Sequence, residues 1–163
     1  SAVTVSSPQA SISFSSIPST YTDLVLRLST RTVSTGYFWD NIDVKFNGVS
    51  NVYNARWIDG NQFGTSSGSG TATAGIGLYS DSNGSTSNTF ASIDLYIPNY
   101  AGSTQKSVSA DQATEQNGTE AFLRMAAALY TQTTSISSIA ITSASAANFG
   151  QYSTAYLYGV SNA

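Results

Sequence analysis

The sequence predicts an all-β fold, an antiparallel β-sandwich of jelly-roll type with about eight to ten strands. Three observations carry that prediction. Apolar and polar residues alternate with a period of two through 93–97, 107–111, 139–142 and 154–158, the rhythm of strands with one buried face. Breaks rich in Asn, Gly and Ser separate such segments at short intervals, which favours linked antiparallel strands over a parallel sheet wrapped in helices. Asn-Gly pairs at 47–48, 83–84 and 117–118 supply turn chemistry.

Taken in order, residues 1–10 are expected as an N-terminal arm or edge strand, able to pair with another subunit, and residues 11–163 as a single β-sandwich domain. In 11–15, Ile12 and Phe14 alternate with serines, and Pro18, which has no N–H for a ladder, ends the segment. In 21–32, Leu24, Leu26 and Leu28 face one way while Val25, Arg27 and Ser29 face the other. Residues 34–36 break the pattern and open a loop that carries Tyr37, Phe38 and Trp39. Residues 41–47 alternate Ile42, Val44 and Phe46 against Asp43 and Lys45, closing at Asn47-Gly48 as a type I′ turn. Residues 52–58 read as a short strand or a turn of helix.

From 60 to 88 the chain is mostly Gly, Ser, Thr and Asn. A structureless loop of that length is uncommon in a compact domain, so one strand is assigned to 75–80 with loops on both sides. Residues 90–100, ending at Pro98, and 106–112 are strands. Residues 121–130 fit two periods: Leu123, Met125, Ala127 and Leu129 share a strand face, whereas Phe122, Met125, Ala126 and Leu129 would line a helix. The strand neighbours and the Asn117-Gly118 turn decide for a strand. Residues 135–143 and 153–160 complete the set.

The chain holds 163 residues and neither cysteine nor histidine. One domain of that size needs no disulfides. The two absences remove Ser-His-Asp and Cys-His nucleophile systems and the usual zinc sites, so no enzyme activity, catalytic residue, cofactor or metal is expected. Charged residues make up 9% of the chain, against roughly 25% in an average globular protein. The six basic residues are dispersed and the net charge is -3, which gives no grip on a phosphate backbone and excludes nucleic acid as a partner. No apolar run approaches the ~20 residues of a membrane span, and the start lacks the regions of a signal peptide. A soluble chain without membrane insertion is expected.

Among the acidic residues, Asp40 with Asp43 beside Trp39 is the one suggestive group. A glycosidase needs two carboxylates about 5–10 Å apart across a sugar site, and an acidic loop beside a packed Trp is the plainer reading. Asp81-Ser82-Asn83-Gly84-Ser85 opens like an oxygen-ligand calcium loop, but the places for Gly and Glu hold Thr86 and Ser92. An EF-hand is therefore excluded, and a turn explains the stretch better than an irregular calcium site. Tyr37, Phe38, Trp39 and Trp57, with Asn41, Asn54 and Gln62, form an aromatic and amide set of the kind that holds sugars. Such rings more often fill a core or a subunit interface, and that reading is preferred.

The motifs Ile17-Pro18-Ser19-Thr20-Tyr21-Thr22-Asp23-Leu24, Phe46-Asn47-Gly48, Ile97-Pro98-Asn99-Tyr100 and Lys106-Ser107-Val108-Ser109 occur in that order. Ser138-Ile139-Ala140-Ile141, Phe149 and Tyr156-Leu157-Tyr158-Gly159-Val160 follow. Over nearly the whole chain this series resembles a group of small virion structural proteins of tailed bacteriophages, common among phages of aquatic bacteria. The resemblance implies a β-sandwich subunit, homotrimeric, on the exterior of the virion, where it decorates or cements the capsid by contact with the major capsid protein or other virion proteins. The alternative it implies is a tail-fibre component that recognises a host surface glycan. It transfers no catalytic residue.

Overall fold

The computed structural model describes residues 1–161. Among them the chain forms twelve strands and no helix: β1 (Ala2–Thr4), β2 (Ser11–Phe14), β3 (Asp23–Thr30), β4 (Trp39–Phe46), β5 (Tyr53–Asn61), β6 (Gly64–Thr73), β7 (Ile76–Asp81), β8 (Ala91–Ile97), β9 (Lys106–Glu115), β10 (Ala121–Tyr130), β11 (Ile139–Ser143) and β12 (Thr154–Val160). An eight-stranded sheet runs β1-β12-β3-β8-β9-β10-β5-β6, and a four-stranded sheet runs β2-β11-β4-β7. The antiparallel sandwich expected from the sequence is what forms.

Alternate side chains of the small sheet, among them Ile12, Phe14, Ile42, Val44, Phe46, Ile139 and Ile141, are buried against Leu24, Leu26, Leu28, Ile93, Leu95 and Ile97 of the large one. Burying one such side chain stabilises by about 1.5–3 kcal/mol. A slip of one residue in β3 would turn all three leucines to solvent, so the two-residue rhythm fixes its register.

Twelve strands exceed the eight to ten expected, chiefly because Gly64–Thr73, read as loop, is a ten-residue edge strand. It has no apolar alternation because its residues are mostly exposed and the position that meets the Trp57 ring has room only for glycine. Its ladder to β5, with Asn61 opposite Gly64 and Trp57 opposite Gly68, defines it instead. Gly68 is required there, since a Cβ would stand 2.6 Å from the Trp57 indole. Ala121–Tyr130 is a strand paired on both sides, with β9 and β5, which sets the helical reading aside. At the N-terminus, β1 lies along β12 of the same chain, Ala2 opposite Tyr156.

The Asn-Gly turns also behave in a way their chemistry does not announce. Asn47 and Gly48 have φ of 52° and 67°, and the Val49 N–H donates to the Phe46 carbonyl at 3.1 Å, as a type I′ turn requires. Yet β4 and β5 belong to different sheets, so the turn carries the chain across the sandwich. Asn83-Gly84 sits likewise between β7 and β8, and of the three pairs Asn117-Gly118 alone joins paired strands.

The open edge of β7 positions the site described next. Its Tyr79 N–H donates to Gln112 Oε1 of β9 at 2.6 Å, and its Asp81 carbonyl accepts the Thr32 N–H at 2.8 Å. The large sheet thus closes over an edge that would otherwise offer free backbone groups.

Candidate functional site

The loop before β4 is anchored from the turn after β7. The hydroxyls of Ser82 and Ser85 donate to the carbonyls of Tyr37 and Phe38, and Gly84 lies so close to the Tyr37 carbonyl that any Cβ would collide with it. Phe38 is buried and stacks on Phe122 at 5.5 Å. Tyr37, 70% exposed, stacks on Trp39 at 5.7 Å. Trp39 in turn meets Tyr79 at 5.0 Å and the edge of Phe122 at 5.8 Å. Tyr37, Phe38, Trp39 and Phe122 bound a loop-end groove of about 410 Å³, rimmed by Gln62, Phe63 and Glu120.

Trp57 lies elsewhere. It projects from β5 beneath Arg124, whose guanidinium sits 5.1 Å from the Trp57 ring and 4.1 Å from the Tyr79 ring. Arg124 holds Asp59 through Nε at 2.6 Å and Nη2 at 2.7 Å, and donates further to the Gly77 carbonyl at 3.1 Å and the Tyr79 hydroxyl at 2.6 Å. Bidentate, charge-assisted pairing of this kind is what makes a buried ion pair tolerable. Around it a second groove of about 250 Å³ opens between the sheets, lined by Asn41, Asp43, Trp57, Thr73, Tyr79 and Arg124 among others. Burial pushes the Asp43 carboxyl above its usual range, with Lys45 opposing. Burial likewise raises the Tyr79 phenol, against the pull of Arg124.

The sequence-predicted set is therefore divided. Tyr37, Phe38 and Trp39 gather with Gln62 at the loop end, whereas Trp57 and Asn41 line the inter-sheet groove. Asn54 belongs to neither; its Oδ1 accepts the Ala72 N–H at 3.1 Å. The residues that join the halves, Phe122, Tyr79 and Arg124, were not singled out from the sequence. Their signal was faint: Phe122 and Arg124 share one strand face, but nothing in the sequence says which strand they meet.

Asp40 and Asp43 do not form a pair. Being three apart in β4 they fall on opposite faces. Asp40 is buried and accepts the hydroxyls of Ser143 at 2.8 Å and Ser145 at 3.1 Å. The calcium-like stretch is also accounted for. Arg31 donates through Nη1 to the carbonyls of Thr86 at 2.9 Å and Thr89 at 3.1 Å, and through Nη2 to Ser85 at 3.2 Å. Within the stretch itself the Ser85 N–H donates to the Ser82 carbonyl at 3.1 Å, as a turn requires, and Arg31 takes the Ser85 carbonyl with two carbonyls just beyond it. Among the described residues no group of three or more acidic side chains gathers where it could hold a metal, and no helix is long and apolar enough to cross a membrane.

The outer face of the large sheet divides in two. Across β12, β3 and β8 it carries the partly exposed rings of Tyr96, Tyr156 and Tyr158, and an Arg27–Asp94 ion pair at 3.1 Å. Across β9, β10 and β5 it carries Leu123, Met125 and Ile58, exposed by 58%, 65% and 62%. Met125 lies directly opposite Ile58 in the ladder. Comparison with known proteins adds no relative: no family model, curated protein or solved structure matches the chain.

Proposed function

We propose that the chain is a non-enzymatic structural subunit on the exterior of a tailed-bacteriophage virion, a homo-oligomeric capsid decoration that works by what it touches. One observation carries the reading: the eight-stranded sheet offers a broad outer face furnished for contact. A single exposed apolar residue is ordinary, but Ile58 and Met125 face each other in the ladder with Leu123 beside them. The neighbouring half is rich in Tyr with an Arg, the composition enriched at protein interfaces. The adjoining edge strand, Gly64–Thr73, contains no charge and no proline, the devices that normally blunt a free edge. Together with the resemblance to phage virion proteins, these features support contacts between copies on the aliphatic half.

Cryo-electron microscopy of intact particles is expected to find the protein in many symmetry-related copies over the capsid. A few copies confined to the tail would overturn the capsid assignment. Met125→Asp is expected to convert the oligomer to monomer in sedimentation without loss of folding.

A second reading, recognition of host surface glycans, is favoured by the exposed Tyr37 and Phe63 rings that both line the loop-end groove. A glycan array with Trp39→Ala and Trp57→Ala controls tests it, and no signal above background counts against it.

A further inference from the structure

We infer that Asn117 is a site of spontaneous covalent modification, the Asn-Gly pair at which the folded chain leaves the amide free to lose ammonia and become aspartate or isoaspartate. The chemistry needs only the chain and water. The Gly118 backbone nitrogen, having given its proton to hydroxide, attacks the Asn117 side-chain carbonyl carbon; a C–N bond forms, the bond to the amide nitrogen breaks, and ammonia leaves with a proton taken from water. Water then opens the cyclic imide at either carbonyl. One opening gives aspartate, and the other routes the backbone through the side chain as isoaspartate. Glycine suits the attacking position because it has no Cβ in the way and the widest backbone freedom.

The three Asn-Gly pairs share this local chemistry, so the way the fold holds each one decides between them. Asn47 is clamped. Its Oδ1 accepts the N–H groups of Ser137 at 2.8 Å and Ser138 at 3.2 Å and the Ser137 hydroxyl at 3.3 Å, and its Nδ2 donates to the Ser135 carbonyl at 2.8 Å. Turning that amide toward Gly48 would break these bonds. At Asn83 the attacking group itself is engaged: the Gly84 N–H donates to Ser82 Oγ at 3.1 Å, while the Asn83 N–H donates to the Ser34 carbonyl at 2.9 Å and its Nδ2 to the Val33 carbonyl at 3.4 Å. Asn117 is held only by its backbone. Its N–H donates to Glu115 Oε1 at 2.8 Å, but its side-chain amide and the Gly118 N–H make no hydrogen bond among the described residues. Both residues are exposed at the tip between β9 and β10, so the amide can turn to the nitrogen that attacks it.

The place of the product gives it consequence. Conversion takes the net charge one unit below -3 and sets the new carboxylate between Glu115 and Glu120, the second of which rims the loop-end groove. The isoaspartate form also adds a methylene to the backbone that joins β9 to β10. The inference stands apart from both the capsid and the glycan readings.

It is tested by a time course of the intact folded chain at physiological temperature and mildly alkaline pH, digested in acid and read by mass spectrometry at each of the three peptides. Isoaspartyl methyltransferase separates isoaspartate from aspartate. Asn117 is expected to convert about tenfold faster or more than Asn47 and Asn83, tenfold being roughly the rate factor of one hydrogen bond that must first be broken. In urea the three rates are expected to come together. Gly118→Ala is expected to slow conversion about tenfold with Tm unchanged, because its Cβ would meet only the Gln116 side chain at 3.6 to 3.8 Å, an ordinary contact. Conversion of Asn47 or Asn83 as fast as Asn117 in the folded chain would overturn the inference. So would an Asn117 that keeps its amide in the folded chain while the urea-unfolded chain converts, or an undiminished rate in Gly118→Ala.

Discussion

Two buried carboxylates, Asp59 and Asp81, sit on either side of the aromatic cluster and are treated in opposite ways. Asp59 is 5% exposed and Asp81 fully buried. Directly opposite Asp59 in the β5–β10 ladder stands Arg124, which closes on it with two short hydrogen bonds. Asp81 is bridged to Arg31, yet that guanidinium is turned away to the carbonyls of the following loop. Neither Asp81 oxygen has a hydrogen-bond partner. Burial pushes its carboxyl up, and the nearby Thr89 hydroxyl and Arg31 only ease that shift, for Thr89 gives its proton to the Thr86 carbonyl. The difference teaches that burial alone does not say what an acid contributes: Asp59 locks two strands and two rings together, whereas Asp81 is a cost carried by its surroundings.

The sharpest way to break this contrast is Arg124→Ala. It strands Asp59 in the interior and removes the cation between Trp57 and Tyr79. Losing one partner of a buried pair costs about 3–5 kcal/mol, so Tm is expected to fall by roughly 10 °C or more. A fall no larger than that of an exposed Lys→Ala control would show that the pair is solvated.

Arg31→Ala comes next. It frees three loop carbonyls and removes a cation that acts on Asp81, and a loss of about 2–3 kcal/mol is expected by thermal unfolding. The sharper version is a cycle: Arg31→Ala is expected to cost less in an Asp81→Asn background, because the Coulomb relief is then no longer needed. Gly84→Ala tests the loop that both features share. The new methyl must displace the Tyr37 carbonyl, and about 1–3 kcal/mol is expected, together with loss of any ligand response at the loop end.

How far the sequence could foresee this arrangement depends on whether the signal was local. Leu24, Leu26 and Leu28 announce β3 because apolar side chains alternate along a single segment. Gly64–Thr73 was unreadable because its partner, the Trp57 ring, comes from another strand and asks only for absence of side chains. The Asn-Gly pairs gave the turn geometry of Asn47-Gly48 correctly, but which sheet the chain enters afterwards is a tertiary matter. Tyr37, Phe38 and Trp39 were visible as a cluster; that Trp57 is reached only through Tyr79 and Arg124 was not. Asp40 and Asp43, by contrast, could have been separated from parity alone.

The smallest expected effect has the opposite sign and discriminates best. Asp81→Asn keeps the shape and removes the charge, and is expected to stabilise the protein at pH 7 by about 1 kcal/mol, roughly 2–4 °C in Tm. The pH dependence fixes the cause. Because the folded-state pKa of Asp81 is raised, the folded protein holds a proton that the unfolded chain, titrating near 3.9, has released. Stability therefore falls as pH rises through that window, and the cost is fully present above it. The advantage of Asp81→Asn is expected to be greatest at pH 7 and to shrink on acidification toward the unfolded pKa. Asp43, also raised, acts alike in both proteins and cancels in the difference. An advantage independent of pH would trace the gain to packing, and a loss at pH 7 would mean that Asp81 has a partner in solution after all.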